Sequence, residues 1–245
     1  MDNTLLVSLS HQLAANRSMD VIANNLANVS TPAFKRENVK FEELVAQMRA
    51  AEGDTSPQSV SFVQDKGVVR DLSEGRLERT NNTFDLALNG RGFFVVQTPK
   101  GAQYTRNGHF TLDPSGQIVT EDGQTVQGDG GAITITPNDG DVHIAADGTV
   151  SGKNGQIAKI QIVDFANERT MLKEGASLYS TTQAPNPATG TTISQGMLEN
   201  SNVEPVVEIS NMIEIMRAYQ ATASLTQQQE TLLSQAIEKL GTPVN

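Results

Sequence analysis

Apolar residues near the N-terminus recur at helical spacing. Leu5, Leu9, Met19, Ala23 and Leu26 follow a three-four rhythm, with polar Gln12 and Asn16 in its two gaps, and Leu6, Leu13 and Ile22 widen the stripe. The pattern predicts an amphipathic helix from about Thr4 to Asn28. Pro32 ends it, because proline lacks an N–H and disfavours helix in the residue before it. Phe41, Leu44, Val45 and Met48 fit one more short helix. Residues 51–59, AEGDTSPQS, have no period and read as a mobile loop.

From Val60 the period changes. FDLALNGRGFFVVQT, YTRNGHFTLD, GQIVTEDGQTVQG, GAITITPN, VHIAADGTVSG and IAKIQIVDF are short β-prone runs cut by NG, PSG, EDG, NDG, ADG and KNG turns. Residues 110–123 and 143–155 echo each other as strand, acidic turn, strand and glycine turn. An antiparallel β domain is expected from about Asn81 to Tyr179. Residues 180–196, rich in Pro, Gly and Thr, read as a return linker.

The last helix has the clearest signals. Ser201 and Glu204 fit a capping box, and Pro205 suits a first turn. Ile209, Met212, Met216, Tyr219, Ala223, Thr226, Glu230, Leu233, Ile237 and Leu240 then keep strict three-four spacing, with Gly241 as C′ residue and Pro243 as a stop. About 35 helical residues span roughly 50 Å at 1.5 Å each. A domain of about 100 residues, with a radius of gyration near 13 Å, is too small to cover that length.

The fold class expected is therefore α+β. N- and C-terminal amphipathic helices pair as a coiled-coil-like bundle, and an antiparallel all-β domain lies between them. Two paired helices still leave apolar surface on their outer sides, and such surface marks an interaction site. Copies joined through unlike faces propagate into a filament or tube unless the rotation closes. On pattern alone, a polymer and a two-helix stalk of some other assembly both stand.

Composition removes several function classes. The 245-residue chain carries a formal charge of −10, and residues 107–152 hold seven acidic side chains and no Lys or Arg. Nucleic acid needs a basic footprint, and an anionic membrane surface attracts basic segments, so neither is expected as a partner. No apolar run approaches the roughly 18 residues of a membrane span. The start, MDNTLLVSLSHQLAANR, lacks the basic and long apolar regions of a cleaved secretory signal. There is no cysteine, hence no disulfide, thiolate metal site or thiol nucleophile.

Candidate chemistry is equally sparse. The GxG of residues 90–92 runs into a strand rather than a helix N-terminus, so it offers phosphate no dipole. His11, His109 and His143 have no ligand spacing, and GDGG and NDGD lack both the EF-hand and the nonapeptide pattern. Neither GxSxG nor HExxH occurs. No catalytic residue, metal site or cofactor is expected. A hydrolase built on a cleft of the β domain and an adaptor with a helical stalk are the competing function classes.

Three segments resemble the flagellar rod and hook protein family. Residues 23–36, ANNLANVSTPAFKR, are similar to its N-terminal signature ANNLANxxTxGFK. Residues 89–128 resemble its central GxGFF…YTRxGxFxxDxxG stretch, and residues 195–221, QGMLENSNVEPVVEISNMIEIMRAYQA, its C-terminal motif. The Met-Asp start, the length and the single small β domain look most like a proximal rod subunit, with the distal rod subunit next. Ala33 stands where the family usually has Gly, and is expected to keep its backbone out of the left-handed region.

The resemblance implies a self-assembling structural subunit, not an enzyme, exported by the flagellar type III apparatus without a cleaved signal. Its place is the periplasmic rod of the basal body, a drive shaft that carries torque, and its partners are copies of itself and other rod subunits. It implies that residues 1–35 and 200–245 form an inner core of paired helices, 36–80 a connecting segment, and 81–199 an outer β domain with its linker. The assembly residues it points to are Ala23, Asn24, Asn25, Leu26, Ala27, Asn28, Thr31, Pro32, Phe34 and Lys35, and on the last helix Ile209, Met212, Ile213, Met216, Arg217, Tyr219, Ala223, Leu233, Ile237 and Leu240. Asn24, Asn25 and Asn28 read either as a fraying helix end or as a polar ladder setting register between subunits. Arg217 reads as a partner for a neighbour's acid or as a solvated side chain.

Overall fold

The first apolar stripe winds into helix α1 (Asp2–Ala27) and the last into helix α2 (Pro205–Gly241). The computed structural model describes residues 2–48, 58–175 and 177–241. Two compact units emerge: one holds α1, α2 and a hairpin, the other Asn28–Arg36 and Leu72–Val203.

In the first unit, the short helix expected around Phe41–Met48 is instead strand β1 (Glu37–Met48), paired antiparallel with β2 (Gln58–Arg70). The register runs from Glu37↔Arg70 to Met48↔Gln58, with a bulge between Val39 and Phe41. Four apolar residues at helical spacing nucleate a helix poorly. A facing strand with Phe62, Val63 and Val68 offers every residue of β1 except Lys40, at the bulge, a partner instead. Most of the expected loop at 51–59 lies outside the described residues, and Gln58 and Ser59 open β2.

Helix α1 packs against α2 and against both strands of the hairpin. Among its described side chains Val21, Ile22 and Asn25 are buried. Along α2 the buried Glu208 and the half-buried Met212, Ile215, Tyr219, Thr222, Thr226 and Gln229 follow a four-three alternation, with Asn211 and Ala223 half-buried beside it. The covered line shares Met212, Tyr219 and Thr226 with the sequence pattern, while Ile209 and Met216 lie one residue to the side and stay exposed. The expected capping box is absent. The Ser201 hydroxyl accepts from the Val203 N–H at 3.2 Å, and the first helical bond runs from Glu208 N–H to Glu204 C=O at 3.0 Å. Pro205 is helical, as its ring favours, because its missing N–H would have no partner there. Pro243 lies outside the described residues.

The second unit is an antiparallel β domain. Its main sheet centres on strand Phe93–Thr98, flanked by Gly101–Thr105 and Thr125–Gly128. Alternation along this strand loads both faces. Phe94 and Val96 join Leu86, Phe110, Ile118, Val126, Ile144 and Ile160 in one core. Phe93 and Val95 join Tyr104, Val163, Phe165, Met171 and Tyr179 in another. Edge-on rings lock both: Phe94 to Phe110 at 5.1 Å and Tyr104 to Phe165 at 4.7 Å between centroids. The segment expected as a linker is structured: Asn186–Pro187 pairs with Val163 and Asp164, and Thr192–Gln195 pairs with Leu86–Asn89. Its Thr and Ile residues suit strands, and Gly190 and Gly196 sit at the breaks.

Ala33 corrects the expectation made for it. Its φ is +57°, left-handed, and it is buried. Its N–H donates to the Glu199 carbonyl at 2.7 Å. That bond and the packing around the methyl group hold the conformation against a penalty of about 1–2 kcal/mol for a residue with a Cβ.

Candidate functional site

Lys35, Arg106 and Glu199 lie far apart in sequence and form one buried ion cluster in the β domain. Lys35 Nζ stands 2.6 Å from Glu199 Oε1, and Arg106 Nε 3.0 Å from Oε2. The side chains of Lys35 and Glu199 are each 1% exposed. The remaining bonds are to backbone. Gly75 N–H donates to Glu199 Oε1 at 2.9 Å, Lys35 Nζ donates to Ser73 C=O at 2.7 Å, and Arg106 Nη1 donates to the carbonyls of Gly90 and Gly92 at 3.0 Å each.

The local folds deliver these groups. Lys35 follows the left-handed turn at Ala33, Arg106 follows strand Gly101–Thr105, and Glu199 ends strand Met197–Glu199, paired with Leu77–Arg79. Gly75 permits the approach, since a Cβ there would lie 1.8 Å from the Asn200 carbonyl oxygen. Asn202 fastens the same region: its Oδ1 accepts from Arg36 N–H at 2.7 Å and its own N–H donates to Phe34 C=O at 3.3 Å. Burial pushes the Glu199 carboxyl up, but Arg106, Lys35 and the donated bonds outweigh it and hold the group below its ordinary range. For Lys35, burial dominates over the attraction of Glu199 and lowers the ammonium.

A second node lies in the helical unit. Asn25 is fully buried, and its side-chain amide imitates a strand residue. Its Oδ1 accepts from Glu37 N–H at 2.9 Å and its Nδ2 donates to Glu37 C=O at 2.8 Å, so it pairs the first residue of β1 in both directions. Nδ2 also donates to Oε2 of Glu208, the buried acid in the first turns of α2, at 3.2 Å. One side chain thus joins α1, β1 and α2.

The expected assembly residues divide accordingly. Asn25, Phe34 and Lys35 are buried within the chain, and Lys173 Nζ sits 4.4 Å over the Phe34 ring. Of the asparagines read as a ladder between subunits, Asn25 spends its amide on its own chain. Ala23, Asn24 and Ala27 are exposed; Leu26, Asn28, Thr31 and Pro32 are half-buried. Thr31 Oγ1 donates to Asn28 Oδ1 at 3.2 Å. On α2, Met212, Tyr219 and Ala223 are half-buried and Ile209, Ile213, Met216 and Arg217 exposed. The side chains of Leu233, Ile237 and Leu240 lie outside what is described.

Arg106, Glu199 and Glu208 were not singled out by sequence. A signal existed for the first two, since each is a charged residue inside a quoted motif. Glu208 gives none, because an acid near a helix N-terminus is commonplace.

Chemistry elsewhere is slight. Among the described residues no three of His, Asp and Glu converge as a metal site. A cleft of about 520 Å³ holds Asp113, Ser115 and Asp141 and no histidine. Asp113 Oδ1 is committed to the N–H groups of Ser115 and Gln117.

Three family models match the chain: the flagella basal body rod protein over residues 5–35, the flagellar hook protein FlgE/F/G D1 domain over 87–152, and the flagellar basal body rod FlgEFG protein C-terminal region over 194–239. Each contributes one member of the ion cluster: Lys35, Arg106 and Glu199 in turn. The basal-body rod protein FlgF of Caulobacter vibrioides is 43% identical over 244 residues, covering 98% of this chain and 99% of its own. FlgF of Mesorhizobium japonicum is 34% identical with the same coverage. FlgG of a Buchnera aphidicola strain is 37% identical, covering 89% of this chain and 92% of its own.

Proposed function

Because the chain belongs to the flagellar basal-body rod protein family, we propose that it builds the proximal part of the rod by packing its terminal helices against those of neighbouring subunits. It is a structural subunit of the rod in the flagellar basal body. In our reading the two terminal helices form the inner wall of a tube, paired in coiled-coil fashion, and the β domain the outer layer.

One observation carries this reading. Leu6, Leu9 and Leu13 of α1 are 46–61% exposed, and Ile209, Ile213 and Met216 of α2 are 43–46% exposed. Each set forms a stripe at three-four spacing that the chain's own helix pair leaves bare. Stripes of this kind are unfavourable in water and gain about 25 cal/mol per Å² when covered. Two different stripes on one subunit supply the unlike faces that an open helical array needs. Torque then passes through many such contacts in parallel. The near-complete alignment with relatives named FlgF supports the proximal position over the distal one.

The partners are copies of this chain, other rod subunits and, during delivery to the periplasm, the flagellar type III export apparatus. We propose no cofactor, catalytic centre, nucleic acid or membrane insertion. Among the described residues no helix is long and apolar enough to cross a membrane.

The absence of cysteine makes a clean test possible. Cysteines introduced at Leu13 and Ile213 should cross-link neighbouring subunits in purified basal bodies. Basal bodies that contain the protein yet yield no cross-linked species would refute the assembly reading. Recovery of the protein in basal bodies from cells lacking the distal rod protein would support the proximal position, and its loss there would refute it.

A further inference from the structure

Three Asn-Gly pairs punctuate the β domain: Asn89–Gly90, Asn107–Gly108 and Asn154–Gly155. An Asn-Gly peptide can modify itself, because glycine has no side chain to hinder attack by its own backbone nitrogen on the preceding amide. That attack requires an accessible glycine nitrogen and an asparagine side chain free to swing over it. The three pairs differ in how tightly their surroundings hold them.

Asn107 is fixed on both sides. Its Oδ1 accepts from His109 N–H at 3.0 Å, and Gly108 is buried so tightly that a Cβ there would lie 1.6 Å from the Leu86 carbonyl oxygen. Asn89 is exposed, but it lies in a strand pair opposite Thr192, and the Gly90 N–H donates to Glu74 Oε1 at 2.8 Å. Asn154 sits in the two-residue turn that joins Thr149–Gly152 to Gly155–Lys159. Lys153, Asn154, Gly155 and Gln156 are all exposed, and no atom lies within 4 Å of a Cβ built on Gly155. Its side chain is held only by surface contacts, a bond at 3.1 Å from Nδ2 to Asn138 C=O and a hydrogen bond to the exposed Asp139 carboxylate.

We propose that Asn154 is a site of spontaneous deamidation in the folded protein. The Gly155 nitrogen, after losing its proton to solvent base, attacks Cγ of Asn154. A nitrogen–carbon bond forms, the Cγ–Nδ2 bond breaks, and ammonia leaves with a proton taken from water. One water molecule then opens the resulting succinimide at either carbonyl, giving aspartate or isoaspartate. The net change is one water consumed and one ammonia released, without oxidant or catalyst. The Asp-Gly pairs nearby start from a carboxylate, a poorer electrophile than an amide, and react more slowly.

The turn is positioned so that the product matters locally. Asn154 holds the loop of residues 136–141 by its bond to Asn138, and the adjacent Lys153 N–H donates to Asp139 C=O at 2.7 Å. The Asp139 carboxylate in turn accepts from the N–H and hydroxyl of Thr136, both at 2.7 Å. Deamidation replaces a donor by a carboxylate facing a carbonyl oxygen, beside a second carboxylate. Isoaspartate also adds a methylene to the backbone and breaks the Gly152↔Gly155 register. The modification therefore loosens the 136–141 loop while both cores of the domain stay intact.

Full-length protein aged in warm, mildly alkaline buffer, then digested with pepsin in acid to suppress further reaction, tests this. Mass spectrometry should show Asn154 converting at least an order of magnitude faster than Asn89 and Asn107, with isoaspartate detected by enzymatic methyl transfer. In urea the three sites should converge, because the local sequence Asn-Gly is the same. Asn154→Gln should abolish the fast conversion and leave the thermal transition unchanged. Equal rates at the three sites in folded protein, or faster reaction at Asn107, would overturn the proposal.

Discussion

Lys35 and Glu199 are separated by 164 positions and meet at 2.6 Å, each side chain 1% exposed. Neither belongs to the central strands of the domain they stabilise. The pair makes the two terminal motifs of the chain part of the β domain, and Arg106 supplies the central stretch with its share of the same carboxylate. Removing the carboxylate alone leaves two buried cations unopposed. Breaking a buried pair in this way costs about 3–5 kcal/mol, a large share of a typical domain's stability. Glu199→Gln should therefore lower the urea midpoint of the β domain substantially, whereas replacing all three charges by apolar residues of similar size should recover most of the loss. A small shift for Glu199→Gln, under about 1 kcal/mol, would show that the cluster matters little.

The same carboxylate sets an acid limit. Burial opposes its charge, but Arg106 and Lys35 prevail, so its folded pKa lies below the unfolded value of about 4.3. Between those two values the unfolded chain binds more protons. The stability it contributes is thus complete above about pH 4.3 and is lost as pH falls through the folded pKa. Urea titrations from neutral pH downwards should show stability falling below that point, with a shallower slope in Glu199→Gln. Equal slopes would remove Glu199 from the acid transition.

Ala33 offers a gain. At φ +57° an alanine is strained where glycine is not. Ala33→Gly relieves about 1–2 kcal/mol of strain and gives back about 0.4–1 kcal/mol through the freer unfolded chain. The expected result is a rise in stability of up to about 1.6 kcal/mol, seen as a higher melting temperature. A fall would mean that the buried methyl contributes more than the strain.

Asn25 links its helix to β1 and α2 through three bonds at 2.8–3.2 Å. Asn25→Asp keeps the shape but faces the Glu208 carboxylate with a second one and removes the donor to Glu37. Each buried group left unpaired costs about 1–3 kcal/mol. Amide exchange at Glu37 and Val39 should accelerate. Unchanged exchange would show that the node is not a constraint on β1.

How far the sequence disclosed this architecture depends on the range of the signal. Helices α1 and α2 and the glycine-marked strands were legible because their period or turn chemistry is local. Strand β1 was misread because only pairing with β2 decides it, and the segment of residues 180–196 because its composition conceals strands that exist by pairing with Leu86–Asn89. The backbone at Ala33 escaped because the bond to the Glu199 carbonyl joins residues 166 apart in number. The candidate assembly stripe was visible as a period, but which of its residues α1 covers is a matter of one position along α2, and a seven-residue repeat does not fix that.

That one-position distinction decides the most direct test of assembly. Met216 belongs to the apolar stripe of α2 yet is 43% exposed in the chain by itself, while Met212 and Tyr219 take the line towards α1. A charge at Met216 meets water in the isolated subunit, where a surface change typically matters by less than about 0.5 kcal/mol. In a rod wall the same charge enters a seam between subunits, where an unpaired carboxylate costs several kcal/mol. The penalty recurs at each copy. Met216→Asp should therefore leave the thermal transition of the purified protein unchanged, while complementation of a strain lacking this rod protein fails to restore swimming. Met216→Leu should restore it, since volume and polarity are retained. A mutant that swims normally and is recovered in basal bodies would show that this stripe faces solvent in the rod. A Met216→Asp protein that melts markedly lower would show instead that the residue serves the subunit's own fold.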